Sequence, residues 1–494
     1  MTASPRHLGD AMRRAPLSLV SLLTAVLLAT VLAAPAGADA SVAAAAPPAT
    51  NTGWTAAPQL GPDDLTLTNT QHLSDRLTQL TFTTPALSSA TRVRVLVPKG
   101  YDTSGTTRYP VLYLLHGGGG SYLDWTDKGA AAAITADYPV IVVMPDTGPG
   151  NGYMNWYNNG AFGPPMWETY HIDQLLPWID GHYRTIATRA ERAIAGLSMG
   201  GGGAVGYAAR HPDLFSSTAG FSGAVDTNVP LVWPLADQPD ANGHINYGMG
   251  LRLTDEIRWR DHNPWDIAEN LRGTSITLKS GNGLPGGPDG GLGDPIEAGV
   301  HMMNVNLDHK LTALGIAHVW DDYGPGGHNW YYWQRDLRQL LPPLMELFAN
   351  PTPAPSAYTY RTADPTYSLW GWNVHVARTH LEFSELRDAN RDGFTLTGSG
   401  RGEVTTAGYY QPGQRLTVTT IDRTGTHRTT AQADAQGRLH TSVDLGPANP
   451  YQEYSAQGRL WVLLQTAGGL PGTVFSNPQW PSQTATVRIT PVAP

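Results

Sequence analysis

Gly196-Leu197-Ser198-Met199-Gly200 is the stretch of this chain best placed to do chemistry. Residues 192–195 read as a short buried strand, and residues 201–210 as a helix ended by His211-Pro212. A serine on such a strand-to-helix turn is held in a strained backbone, and small residues two before and two after it let the flanking chain pass closely. The same turn puts it at a helix N-terminus, where backbone N–H groups and the helix dipole favour developing negative charge. A serine hydroxyl is a weak nucleophile until a base takes its proton, so a histidine must follow. Of the 16 histidines, His328 follows a predicted strand, sits behind Tyr323-Gly324-Pro325-Gly326-Gly327 and precedes a helix. It therefore belongs on a loop at the C-terminal edge of a sheet, where the serine turn also lies. His301 and His309 fall within a predicted helix and His318 opens a strand, positions that suit a solvated or core-satisfied imidazole.

A third group must orient the imidazole and stabilise its cation. Between the strand at residues 276–279 and His328, the carboxylates are Asp289, Asp294, Glu297, Asp308, Asp321 and Asp322. Asp289, Asp294 and Glu297 fall in the expected loop after that strand, and residue types alone leave the three equal. Two backbone N–H donors must also face the oxyanion of a tetrahedral intermediate. Met199, the residue after the serine, supplies one. The other is expected from His116-Gly117-Gly118-Gly119-Gly120, which follows the apolar run at 111–115 and resembles the glycine loop of esterases.

These residues need a scaffold. Residues 93–97 alternate and end at Pro98, as an early antiparallel strand would, while 111–115 and 140–144 are continuous apolar runs typical of strands buried on both faces. An amphipathic helix is predicted over 167–183, strands over 217–222, 276–279 and 318–322, and helices over 298–314 and 330–348. Strands alternating with helices imply a mostly parallel sheet covered on both sides. Asn350-Pro351-Thr352-Pro353-Ala354-Pro355 reads as a stiff linker. Beyond it, alternation such as Arg415-Leu416-Thr417-Val418-Thr419 predicts a separate all-β, sandwich-like domain.

The bulk composition agrees. A chain of 494 residues suggests about 2–3 domains. A net charge of -9 with only 15% charged residues offers no basic stripe for nucleic acid. With no cysteine, disulfides, thiolate metal sites and a cysteine nucleophile are excluded, and no cofactor or metal is expected. Arg13 and Arg14 precede an apolar run over 17–34 and then small residues at Ala34, Ala36, Ala38 and Ala40, the pattern of a secretory signal peptide. The expected organisation is a signal peptide over 1–40, a spacer over 41–62, a catalytic α/β domain over 63–349, a linker over 350–357 and a β-rich domain over 358–494.

Residues 90–349 resemble the secreted mycolyltransferases of actinobacterial envelopes, within the wider esterase D and feruloyl esterase group. The resemblance rests on Trp167-Glu168-Thr169-Tyr170, Gly196-Leu197-Ser198-Met199, Gly281-Asn282-Gly283 and His328-Asn329-Trp330-Tyr331-Tyr332-Trp333. It implies an α/β-hydrolase fold, a serine–glutamate–histidine triad at Ser198, Glu297 and His328, and oxyanion donors at Gly118 and Met199. Where that family carries an aspartate and an arginine that help bind trehalose, this chain has His116 and Gly119, and where it often has a cysteine before Gly-Asn-Gly this chain has Ser280. Ester chemistry is thus expected without the family's substrate. The expected activity is a secreted serine carboxylesterase working through an acyl-enzyme. An acyltransferase moving the acyl group to a sugar or glycerol hydroxyl is the alternative, and a non-catalytic envelope-binding protein is a third. The partner is a small-molecule, lipid or sugar ester, with the C-terminal domain a candidate for contact with envelope glycan.

Trp125, Trp156, Trp330 and Trp333 are candidates to line the cleft, with aromatic core packing an equal reading for each. Trp370, Trp372, Trp461 and Trp480 suit a sandwich core better than a carbohydrate platform. Asp388-Ala389-Asn390-Arg391-Asp392-Gly393 imitates the first half of a calcium loop, but Ser399 stands where the bidentate glutamate is required, so a hairpin turn is expected.

Overall fold

A computed structural model describes residues 59–101, 105–148, 152–157, 164–229, 248–250, 252–378, 380–449 and 482–492. The signal-peptide segment, the spacer as far as residue 58, Trp461 and Trp480 lie outside the described residues. The first sheet is built from β1 (Thr66–His72), β2 (Leu77–Thr83), β3 (Thr91–Leu96), β4 (Val111–Leu115), β5 (Ile141–Pro145), β6 (Arg192–Leu197), β7 (Ser217–Phe221), β8 (Ser275–Ser280) and β9 (Val319–Asp322). Their order is β1-β2-β3-β5-β4-β6-β7-β8-β9. The first three pair antiparallel, ending with β3 on β5, and every pair from β5 through β9 is parallel. The apolar runs at 111–115 and 140–144 are thus buried central strands, as their unbroken hydrophobicity requires.

Alternation along those strands feeds two cores. Val111, Tyr113, Leu115 and Ile194 join one cluster, and Leu112, Leu114, Ala193 and Ala195 the other. The first is covered by α1 (Leu176–His182), α2 (Met199–Arg210) and α4 (Pro295–Ala313), the second by α5 (Trp330–Ala349); α3 (Arg252–Asp261) contributes Ile257 to the first. Two of these helices depart from the sequence expectation. Residues 169–175 form a π-helix that runs directly into α1, with the Leu176 N–H donating to the His171 carbonyl. Pro177, at the next position, has no N–H with which to continue an α-helical ladder. Its residues, apart from Asp173, are buried on all sides rather than along one stripe. The second departure is α4, which begins at Pro295, a turn earlier than expected. Asp294 caps it by accepting from Ile296 N and Glu297 N, and Pro295 takes the first position, where a missing N–H costs nothing.

Strand order reverses between β4 and β6: from β4 the chain goes to β5 on one side, and from β6 to β7 on the other. Crevices at the carboxyl ends of strands flanking such a switch are where open α/β sheets bind ligands. Leu115 is the partner of Gly196, Leu197 of Phe221, Phe221 of Lys279 and Ser280 of Asp322. The strand ends are therefore in step, and the residues just past them converge on one edge.

Among the described residues, those from 358 to 449 and from 483 to 491 supply two antiparallel sheets, one of six strands and one of four. Both sheets feed one core. Leu386, Leu396 and Val487 from the larger meet Trp372, Val374 and Val443 from the smaller. Trp372 is fully buried there, Trp370 stacks on Tyr358, and residues 388–393 lie in a hairpin whose turn is Arg391-Asp392. Among the described residues, no cluster of His, Asp or Glu could hold a metal ion, and no helix is long and apolar enough to cross a membrane.

These β sheets rest on the C-terminal end of α2. Arg210, the last residue of that helix, is paired with Glu168 at 2.7 Å, Asp261 at 2.7 Å and Asp364 at 2.9 Å. The Tyr360 hydroxyl donates to the Arg210 carbonyl, and Thr362 Oγ1 and Ala363 N donate to Asp261.

Candidate active site

Ser198 caps α2 with φ 55° and ψ -123°, a conformation costing about 1–3 kcal/mol that persists only where surroundings enforce it. The enforcement is visible on both sides. A Cβ on Gly196 would overlap the Gly200 carbonyl, and one on Gly200 would overlap the carbonyls of Leu115 and His116. Ser198 N donates to Phe221 O, while Ser198 O accepts from Gly202 N and Ala224 N. The turn is held by its main chain, which leaves the side chain at the switch point.

The loop after β4 runs beside it. A Cβ on Gly117 would approach Ser198 Cβ to 3.2 Å, whereas one on Gly118 would meet nothing within 4 Å. Gly117 to Gly120 close a turn through Gly120 N to Gly117 O, with φ +70° at Gly119. That left-handed third position is what glycine supplies. His116 fixes the loop from beneath. Thr147 N donates to its Nε2, so Nδ1 carries the ring proton and donates to Gly117 O at 2.8 Å. Met199 N is the first N–H of α2 and belongs to the turn whose donors have no intrahelical partner.

Glu297 lies in the first turn of α4, not in the loop before it, and has no exposed surface. Its Oε2 accepts from His328 Nδ1 at 2.7 Å. Its Oε1 accepts from Gly281 N at 2.7 Å and Ser222 Oγ at 2.9 Å, with Ser280 Oγ at 3.0 Å and the Tyr323 hydroxyl at 3.4 Å. These groups follow or end β7, β8 and β9, and the matched registers bring them together. A buried carboxylate surrounded by donors is satisfied as an anion, which accepts and cannot donate. With Nδ1–H committed to it, neutral His328 presents the lone pair of Nε2.

The competing carboxylates and histidines are engaged elsewhere. Asp294 Oδ1 caps α4 while Oδ2 accepts from His328 N at 2.7 Å, so one side chain ties the backbones of both partners. Asp289 accepts from the Tyr332 hydroxyl and Asn329. His318 pairs with Asp308 and His301 with Asp322, and His309 is exposed.

Among the four tryptophans, Trp125 corrects the expectation of a cleft wall. It is 1% exposed, donates from Nε1 to Leu115 O and meets Phe221 and Trp330 edge-on, so it is core beneath the sheet edge. Trp333 stands edge-on to His328 at 5.0 Å and donates to Ser222 Oγ, supporting the Glu297–His328 pair. Trp330 fills the space between Trp125 and Trp333. Trp156 packs against Met154, Met249 and Trp259. Sequence reasoning missed Ser222, Tyr323 and Thr147, because their roles come from register. It also missed the Asp294-Pro295-Ile296-Glu297 helix start, whose capping pattern is readable.

Two deeply buried groups nearby are shifted. Burial holds the His171 imidazole down at about 4, between the Tyr207 hydroxyl and Asp146 O. Glu168 is held well below the usual carboxylate range by the Arg210 guanidinium and the His211 ring, which together outweigh its burial.

Known proteins similar to this chain are esterases and acyltransferases. Esterase Rv1288 of Mycobacterium tuberculosis is 37% identical over 263 residues, 51% of this chain and 56% of that relative's length. The chain thus spans little more than half of that relative. The diacylglycerol acyltransferase/mycolyltransferase Ag85B of Mycolicibacterium smegmatis is 30% identical over 260 residues, 49% of this chain and 79% of its own. A solved ferulic acid esterase aligns at a TM-score of 0.44 and 26% identity, covering 55% of this chain and 98% of its own. The Esterase family model matches residues 84–344, more than half of the chain, and the protein belongs to that family.

Proposed function

We propose that this chain is a serine esterase of α/β-hydrolase fold in which Ser198, His328 and Glu297 form the triad. The observation that carries the proposal is the buried Glu297 carboxylate, bonded to His328 Nδ1 at 2.7 Å and anchored by the ends of three strands at the edge where strained Ser198 sits. His328 Nε2 takes the Ser198 proton as Oγ attacks the ester carbonyl, and Glu297 stabilises the imidazolium. The N–H groups of Met199 and Gly118 receive the oxyanion. The alcohol leaves with the proton from His328, and water activated by the same ring hydrolyses the acyl-enzyme. An acceptor hydroxyl in place of water gives acyl transfer with identical residues, a second reading supported by the similarity to Ag85B. The N-terminal pattern supports export of the protein.

Fluorophosphonate labelling of wild type beside Ser198→Ala tests the proposal, together with p-nitrophenyl acetate turnover. Labelling and turnover are expected in wild type and not in the variant. Equal turnover by both proteins would sink it.

A further inference from the structure

A hydrogen-bond chain beneath the glycine loop points the same way at every link. It starts in the π-helix at residues 169–175, a helix type often found at functional sites. There His171 Nε2 lies 2.9 Å from the Asp146 carbonyl, which only accepts, so Nε2 carries the ring proton. Burial keeps this ring neutral down to about pH 4, and its bare Nδ1 accepts from the Tyr207 hydroxyl at 3.0 Å. The Asp146 C=O and the Thr147 N–H are opposite ends of one trans peptide unit. Thr147 N–H meets His116 Nε2 at 3.2 Å, and His116 Nδ1–H meets the Gly117 carbonyl at 2.8 Å. Gly117 C=O in turn shares a trans peptide unit with Gly118 N–H. The donors thus run unbroken from the Tyr207 hydroxyl, through two imidazoles and two peptide units, to Gly118 N–H. That last N–H has no hydrogen-bond partner among the described residues, and the space beside Gly118 is open for 4 Å.

We propose that His116 and His171 are positioning residues that aim and polarise Gly118 N–H toward the oxyanion; the proposal rests on the Ser198 acyl-enzyme reading and on Gly118 as its donor. His116 does the aiming. Turning the 117–118 peptide unit away from the site swings the Gly117 oxygen off Nδ1–H, so holding one end of the unit fixes the other. Gly120 N also reaches that oxygen, at 3.1 Å, but belongs to the same loop and moves with it. Four successive glycines have no side chains of their own to restrain the plane. Tyr153 ties the two levels together, donating to His116 O at 2.9 Å while its ring stacks on His171. His171 does the polarising. Aligned hydrogen bonds strengthen one another by about 10–30% per link, and this chain adds its dipoles head to tail. Both imidazoles are buried, so water does not screen them.

The test measures kcat and KM for p-nitrophenyl acetate and the inhibition constant of a trifluoromethyl ketone, whose adduct with Ser198 carries the oxyanion. Fluorophosphonate labelling and thermal melts run beside them. His116→Leu removes both ring nitrogens, whereas the His116→Asn amide restores a donor in place of Nδ1–H. Losing one oxyanion donor costs about 10²–10³-fold in kcat, so His116→Leu should fall about 10²-fold with KM within threefold. His116→Asn should recover about tenfold of that loss. His171→Phe keeps the stacked ring but breaks the chain upstream. Its kcat should fall about two- to eightfold, the effect of weakening that donor by about 10–30%. His171→Gln, whose amide still donates to Asp146 O, should restore the rate. Inhibitor affinity should fall in step with kcat in each variant, which a general loosening of the fold does not produce. A folded His116→Leu protein with kcat within twofold of wild type would overturn the proposal. So would a fall in kcat at constant inhibitor affinity, or equal rates for His171→Phe and His171→Gln, and this last comparison decides if His116→Leu does not fold. Wild-type turnover by Ser198→Ala would instead bring down the nucleophile assignment.

Discussion

Replacing Glu297 by glutamine changes one oxygen into an amide nitrogen at nearly constant shape, and the surrounding hydrogen bonds dictate which way the new group turns. The Oε1 side faces Gly281 N and Ser222 Oγ, with Ser280 and Tyr323 beyond, whereas the Oε2 side faces His328 Nδ1 alone. The glutamine carbonyl oxygen must take the side with more donors, which turns its NH₂ group toward the imidazole. His328 can accept that bond only by moving its proton from Nδ1 to Nε2, and Nε2–H cannot receive the Ser198 proton. The analogous acid-to-amide change in a serine protease lowers kcat about 10⁴-fold, some 5 kcal/mol of barrier, and the same loss is expected here. Because the amide still fills the site, the unfolding temperature should move by only a few degrees. The assay is steady-state hydrolysis of p-nitrophenyl acetate beside a thermal melt and the rate of fluorophosphonate labelling. A folded Glu297→Gln protein with kcat within tenfold of wild type would refute the tautomer argument and return the acid's role to Asp289 or Asp294.

Two further outcomes are expected from the buried polar groups. His171 binds its proton only near pH 4 in the folded protein but near 6.5 when unfolded, so its contribution is complete above 6.5 and is lost as pH falls through 4, up to about 3 kcal/mol. Asp336, pushed up to about 6 by burial, acts oppositely between 6 and 3.8, and blunts the decline. An NMR titration in which the His171 ring protonates near 6.5 would contradict this. Tyr360→Phe removes the hydroxyl that satisfies the Arg210 carbonyl at the end of α2, and should cost about 1 kcal/mol, read as a lower urea midpoint. An unchanged midpoint would show that the β sheets do not stabilise that helix end.

The serine turn is legible in the sequence because its requirements are local. Glycines at 196 and 200, an apolar strand before and a helix after are all contiguous in the chain, and the turn's strain is an affair of neighbouring carbonyls. His328 is legible for a similar reason, as a loop histidine between a strand and a helix. The apolar runs at 111–115 and 140–144 announce buried parallel strands because neither face of such a strand meets water. The start of α4 is written in Asp294-Pro295, yet hydrophobic periodicity alone begins the helix a turn later and leaves Glu297 in a loop where it does not lie.

Family resemblance points to Glu297, but the residues alone cannot separate it from Asp289 and Asp294, since all three lie close together in sequence. Tertiary structure engages each differently, Asp289 on Tyr332 and Asn329, Asp294 between a helix cap and His328 N, and Glu297 on the imidazole. The deciding contacts come from Ser222, Gly281 and Tyr323, which no spacing links to residue 297 until the registers of β7, β8 and β9 align their ends. Trp125 shows the same limit. Its sequence neighbourhood suits a cleft wall as well as a core, and only the Leu115 carbonyl above its Nε1 makes it core. Sequence determined which groups could react and in what order the chain presents them. The strand registers decided which carboxylate bonds His328, because an interaction of one hydrogen bond's length depends on positions that the chain's linear order leaves free.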